Sequence, residues 1–278
     1  MTQRAGVRRA RSLFISDVHL GTRGCQADRL LDFLRSHEAK TIYLVGDIVD
    51  GWRLRPGQPW PRPHLDVAAT LLARACEGTR VVYIPGNHDE SLRKFIGLRV
   101  GNIEVAESAV HETSDGRRYL VLHGDQVDLV VQRIRWVAFL GDWAYSASLV
   151  VSPWVDLMRR RLGLPGGSFS ARAKFRVKSI VNAISRSEEQ LAAEVRRHGV
   201  DGVICGHTHH AADGYLAGVH YLNTGDWVES CTGLIEHEDG HLEIVHWADG
   251  AMTQAADGQM MRNCGVCLPE TKDIPIAV

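Results

Sequence analysis

SLFISDVHLG, residues 12–21, and TIYLVGDIVDGW, residues 41–52, carry the pattern that decides the fold. Each is a short apolar run that stops abruptly at a carboxylate. Runs of this length, bounded by Gly and polar groups and lacking polar/apolar alternation, predict strands buried on both faces. RVVYIPGNHD, residues 80–89, repeats the pattern a third time. Between these runs, residues 28–37 and 65–76 show helical periodicity, with Leu30, Leu31, Phe33 and Leu34 turned inward. The order β-α-β-α-β predicts a parallel sheet covered by helices. Residues 52–64, WRLRPGQPWPRPH, hold four prolines and two tryptophans and predict an irregular loop.

Further along, Ser108–Thr113 and Arg118–Leu122 flank Asp115-Gly116, a hairpin signal. Residues 126–198 read as largely helical, strands return at 202–205 and 219–223, and a last hairpin turns at Asp239-Gly240. The expected architecture is an α/β fold: a four-layer α/β/β/α sandwich of two mixed sheets with a helical insertion cap. The domain spans residues 12–250 and includes the insertion at 126–198. Residues 251–278 lack periodicity and are expected to form a loosely packed tail.

A chain of 278 residues can bury a sizeable core. With 32 basic and 33 acidic residues, the molecule as a whole has no electrostatic preference for nucleic acid or membranes. Six cysteines show no disulfide-framework spacing, and Cys264-x-x-Cys267 has no second pair nearby to complete a zinc site. The arginine-containing start, MTQRAGVRRARS, lacks the apolar core of a secretory signal and reads as a basic arm or a frayed terminus.

Five stretches end strand-like runs with metal-binding side chains: Asp17-Val18-His19, Gly46-Asp47, Gly86-Asn87-His88-Asp89, His123-Gly124-Asp125 and Gly206-His207-Thr208-His209. Carboxylates, imidazoles and amide carbonyls are what hydrolytic divalent ions take. On an extended chain Asp17 and His19 point the same way and can share an ion; His207 and His209 repeat the spacing. Asp47, ending the neighbouring strand, is the natural bridge between two ions. Gly46 and Gly86 let the backbone turn sharply beside it. His111, His237 and His246 have no such company and read as structural.

The set D-x-H, G-D, G-N-H-D, H-G-D and G-H-x-H resembles the calcineurin-like metallophosphoesterase superfamily, from about residue 12 to 247. That resemblance implies one metal held by Asp17, His19, Asp47 and His209 and a second held by Asp47, Asn87, His123 and His207. It implies two divalent ions (Mn²⁺ favoured, Fe or Zn²⁺ as alternatives) and a water activated to attack phosphorus in line. His88 is expected beside the substrate phosphate as acid or transition-state stabiliser, with Asp89 orienting it by a hydrogen bond.

SDVHLG and LVGDIVDGW resemble the branch that contains UDP-2,3-diacylglucosamine pyrophosphatase, which releases UMP and a lipid product at the inner membrane. This chain departs from that enzyme's G-N-R-D by carrying His88. From Leu129 to Lys178, nine Lys/Arg stand against two acids and are interleaved with Trp136, Trp143 and Trp154. Such an insertion suits a membrane interface or an acyl chain, so peripheral association through residues 126–186, on the cytoplasmic face of the cell membrane, is expected. Trp52, Arg172, Lys174, Arg176 and Lys178 are candidate substrate contacts. The expected function is hydrolysis of a phosphoester or pyrophosphate in a lipid-linked substrate. The alternatives are a soluble phosphodiesterase, nuclease or nucleotide pyrophosphatase, and a non-catalytic scaffold; the apolar insertion disfavours a nucleic-acid substrate.

Overall fold

Alternate side chains of the central strands enter two different cores. The computed structural model describes residues 7–54, 57, 59–125, 189–248 and 251–254. The elements are β1 (Arg8–Ile15), α1 (Ala27–Ser36), β2 (His37–Val45), α2 (Arg62–Cys76), β3 (Arg80–Ile84), a 3-10 helix (Glu90–Phe95), β4 (Arg99–Val100), β5 (Ile103–Val105), β6 (Ala109–Glu112) and β7 (Arg118–Val121). Then come β8 (Gly202–Cys205), β9 (Ala212–Leu216), β10 (Val219–Asn223), β11 (Thr232–Glu236), β12 (Leu242–Ala248) and β13 (Ala251–Gln254).

Two mixed sheets result, ordered β13-β12-β11-β1-β2-β3-β5-β4 and β6-β7-β8-β10-β9. Leu13, Ile15, Ile42 and Leu44 point from the first sheet to Leu30, Phe33 and Leu34 of α1 and Val67 and Leu71 of α2. Their neighbours Phe14, Tyr43, Val45, Val82 and Ile84 point the other way and meet Tyr119, Val121, Ile204 and Leu222 of the second sheet. Val203 and Val219 then pack outward on Leu191, Ala192 and Val195, within the helical residues 189–197. Helix, sheet, sheet, helix is the four-layer α/β/β/α sandwich read from the sequence.

The strands outrun their apolar segments. Arg8–Ala10, expected in a basic arm, pair in parallel with His37–Ala39 of β2. The chain passes from α1 into β2 without a loop: His37 adopts φ −129° and its Nδ1 donates to Phe33 O at 2.9 Å, which caps the helix end. In the proline-rich segment, α2 begins at Arg62 after Pro61 and carries a proline in its first turn, where no amide donor is needed. Ala251–Gln254, assigned to the tail, pairs with β12. The remainder of that tail with Cys264 and Cys267, residues 1–6 and insertion residues 126–188 lie outside the described residues. Among the described residues no helix is long and apolar enough to cross a membrane.

The pairs β1/β2, β2/β3, β7/β8 and β8/β10 are all parallel. Their carboxyl ends therefore lie on one rim, where the polar stretches follow.

Candidate metal centre

The chain leaves the strand ends through an uncommon backbone conformation. Asp17 (φ 50°), His19 (53°), Asp47 (53°), His207 (70°) and His209 (56°) are all left-handed. Among the described residues only Ala217 and Cys231 share this among non-glycines. The conformation costs side-chain-bearing residues energy and concentrates where a site over-determines the backbone. It also corrects the extended geometry expected for 17–19 and 207–209: Asp17, His19, His207 and His209 leave the extended conformation and do not continue the strands. Hydrogen bonds hold them, with Asp17 N donating to Gly46 O (3.0 Å) and His19 N to Asp47 O (2.9 Å).

Three clusters of ligand atoms result: Asp17, His19 and His209; His19, Asp47 and His88; Asp47, His123 and His207. Within each, the ligand atoms lie within 4.8 Å of one another. The first and third correspond to the two expected metal sets, and the middle one joins them through His19 and Asp47. Asn87 Oδ1 approaches His123 Nε2 at 3.4 Å, so the amide sits with the third cluster. All seven expected ligands are thus brought together at one rim.

The surroundings prepare these atoms as donors. His123 Nδ1 donates to Val45 O at 2.9 Å, turning Nε2 toward Asp47 Oδ1, 3.5 Å away. Asp17 Oδ2 is taken up by Ser16 Oγ and by His207 N (2.9 Å). Its Oδ1 is buried without a hydrogen bond and faces His209 Nε2 at 3.3 Å, as an oxygen reserved for a cation would be. Burial lowers the pKa of both His19 and His207 to about 4, so both imidazoles are neutral and keep a lone pair. Burial also raises Asp17 to about 6, against the pull of His123 and His209. For Asp47, burial acts upward but is outweighed by His123 and the His88 amide, which hold it at about 2. Burial likewise opposes charge on His123, yet Asp47 and Asp17 carry it up to about 9, a positive charge where a cation is called for. The glycines leave room for this packing: a Cβ on Gly86 would collide with Asp47 Oδ1 and His123 Nε2, and one on Gly46 with the His123 ring. By donor chemistry, the residues present fit two divalent cations.

A model of the calcineurin-like phosphoesterase family matches residues 10–211. The chain belongs to this family. As a calcineurin-like phosphoesterase, it is a hydrolase acting on phosphoester bonds with divalent metal ions. It is similar to the UDP-2,3-diacylglucosamine hydrolase of Salmonella dublin, 28% identical over 254 residues, covering 84% of this chain and 95% of the relative. It is also similar to that of Cellvibrio japonicus, 31% identical over 214 residues, covering 72% and 82%. Among solved structures it resembles vacuolar protein sorting 29 from Cryptosporidium parvum, with TM-score 0.43 and 14% identity, covering 88% of this chain and 94% of that one.

Around this phosphoesterase centre, two acids take roles that the sequence reading missed. Asp89 does not orient His88. Its carboxylate accepts from Ile48 N (2.9 Å), Gly86 N (2.5 Å) and Tyr83 OH (2.5 Å), and so clamps the Asn87 loop to the Asp47 loop. The acid facing His88 is Asp50, with Oδ2 3.3 Å from His88 Nδ1 and 3.5 Å from His19 Nδ1. Asp226 anchors the turn after β10 by accepting from Val228 N and Glu229 N, and faces His209 Nδ1 at 3.9 Å. The signal for it was present: VHYLN followed by Thr224-Gly225-Asp226 is another apolar strand ending in an acid. Trp52 lies against His88, ring centroids 4.0 Å apart, with most of the indole exposed. Arg172, Lys174, Arg176 and Lys178 lie outside the described residues.

Proposed function

We propose that this protein is a dinuclear metal-dependent hydrolase of a pyrophosphate or phosphoester bond in a lipid-linked substrate such as UDP-2,3-diacylglucosamine, releasing UMP. The observation carrying this reading is the chain of ligand clusters in which His19 and Asp47 link the Asp17/His209 group to the His123/His207 group. Support for the substrate comes from the similarity to UDP-2,3-diacylglucosamine hydrolases over most of both chains. Asp17, His19, Asp47 and His209 would hold one ion, and Asp47, Asn87, His123 and His207 the other; Mn²⁺ suits these O and N donors. When bound, the ions supply Lewis acidity that acidifies water and neutralises phosphoryl charge. His88 stands at the open side of the cluster, where its imidazole meets a phosphoryl oxygen or the leaving group. Asp50 faces that ring at 3.3 Å, and the exposed face of Trp52 borders the substrate's approach. The insertion at 126–186 supplies peripheral contact with the cytoplasmic face of the membrane.

The test is incubation of Mn²⁺-loaded protein with UDP-2,3-diacylglucosamine and chromatography for UMP. Turnover is expected, with a loss of at least about 100-fold in Asp47→Ala and His123→Ala. Activity retained in both variants refutes the ligand assignment. Rapid cleavage of DNA without UMP release favours the soluble phosphodiesterase instead.

A further inference from the structure

We propose that residues 93–100, which start beside the metal-centre rim and run along the edge of the first sheet, form a docking surface for anionic lipid, distinct from the insertion. The segment is Arg93-Lys94-Phe95-Ile96-Gly97-Leu98-Arg99-Val100, with three cations and no acid. Phe95, Ile96, Leu98 and Val100 are each more than 40% exposed. Four large apolar side chains in six consecutive residues make a patch, not scattered exposure. The backbone beneath them is fixed: Leu98 N donates to Phe95 O (2.9 Å), Gly97 N to Val105 O (2.9 Å) and Val105 N to Leu98 O (3.0 Å). The apolar groups are therefore held outward by a hydrogen-bonded frame.

Charge is interleaved with them. Lys94 Nζ stands 5.0 Å from the Phe95 ring centroid. Arg99 is fastened by Glu104 at 2.8 Å and Arg93 by Asp125 at 2.5 Å. With Arg93 and Arg99 held by acids, Lys94 beside Phe95 is the cation for anionic headgroups, and the apolar side chains around it suit shallow insertion among acyl chains. A second copy of the chain fits this surface poorly, because β4 is only two residues long and carries Arg99, features that blunt edge-to-edge strand pairing.

Position gives the surface its use. The 3-10 helix begins at Glu90, directly after the Asn87-His88-Asp89 turn, and the Arg93–Asp125 pair ties it to the turn that carries His123. Among the described residues, a cleft of about 660 Å³ runs from Arg93 and Ile96 to His123 and Gly124. A lipid surface held at Phe95–Val100 therefore borders, at its Arg93 and Ile96 end, the cleft that reaches the metal centre. The lipid binding stands on this geometry alone; its use in presenting a lipid-linked substrate rests on the function proposed above.

The experiment is co-sedimentation of the full chain with vesicles of phosphatidylglycerol and phosphatidylcholine, without substrate. Thermal unfolding and hydrolysis of a small soluble phosphodiester are followed in parallel. The wild type is expected to sediment with these vesicles and the Phe95→Ser, Leu98→Ser, Val100→Ser triple variant to bind about tenfold less or weaker. Lys94→Glu is expected to weaken binding only when phosphatidylglycerol is present. Unfolding and soluble-substrate turnover are expected to stay near wild type. Equal vesicle binding by the triple variant and the wild type overturns the proposal, as does a wild-type dimer that this variant converts to monomer. Failure of the wild type to hydrolyse any phosphoester would sink the enzymatic reading while leaving the vesicle result standing.

Discussion

Asp50 and Asp89 are both almost fully buried, yet they serve the site in different ways. Asp50 faces two imidazoles, and Asp89 faces backbone amides and a phenol. Asp50→Asn is expected to lower kcat by about 10–100-fold, as loss of an imidazole's supporting partner does, with a smaller change in KM; steady-state kinetics decides it. Asp89→Ala strands the Ile48 and Gly86 amides and the Tyr83 hydroxyl. It is expected to cost about 2–4 kcal/mol of unfolding free energy in urea titration, since each orphaned buried donor costs about 1–3 kcal/mol. The seven side chains that gather at the rim were legible as candidates one by one, because each follows an apolar run. The partner of His88 was not: Asp89 adjoins it in sequence, but the turn after β3 sends the two side chains apart, and the acid that meets His88 lies 38 positions upstream on another loop.

Elements were legible wherever burial dictated them. The apolar cores of β1, β2, β3 and β8 are enclosed on both faces, so their composition announced them. Arg8–Ala10 and His37–Ala39 carry no such signal; they are strand because each supplies the other's hydrogen-bond partners. The β4–β5 hairpin went unseen for the same reason, being short and partly exposed. At a larger spacing, Glu236 on β11 ties three elements together. Its carboxylate lies 2.9 Å from His111 Nε2 of β6 and 3.2 Å from Arg11 Nε of β1, and is itself fully buried. His111, read from sequence as structural, is one half of this buried pair. Burial alone would raise the Glu236 carboxyl, but His111 and the hydrogen bonds from Ser12 and Ser114 outweigh it and hold the pKa below the ordinary 4.5. A depressed carboxylate stabilises the fold fully above its unfolded pKa and ceases to do so as pH falls through the folded value. Glu236→Ala is therefore expected to cost about 1–3 kcal/mol at pH 7, the usual penalty for stranding buried hydrogen-bonding groups. The difference from wild type should shrink below about pH 4, as denaturant titrations at both pH values will register.

The molecule joins its two sheets in two chemically different ways. Between them lies an apolar layer centred on Phe14, Tyr43 and Tyr119; at the carboxyl rim the contact is made by ligands. Asp17 and Asp47 follow strands of the first sheet, whereas His123, His207 and His209 follow strands of the second. Cations bound there clamp one sheet to the other. Ligand binding adds about 4 kcal/mol at a free concentration a thousand times Kd, so chelation is expected to lower Tm by roughly 10 °C and Mn²⁺ to restore it, as calorimetry will detect. The layer order was readable from the chain because two cores need strands that are apolar on alternate sides.

The first cluster has a further consequence for how the protein comes into being. His19 and His209, whose imidazoles stand 3.4 Å apart, are separated by 190 positions along the chain. Loop closure over that distance comes late in synthesis and folding. A ribosome-bound fragment ending before residue 205 owns Asp17, His19, Asp47, Asn87 and His123 yet lacks His207 and His209, the imidazoles completing the first and third trios, so on the proposed ligand set the nascent polypeptide stays hydrolytically silent until those two residues have emerged.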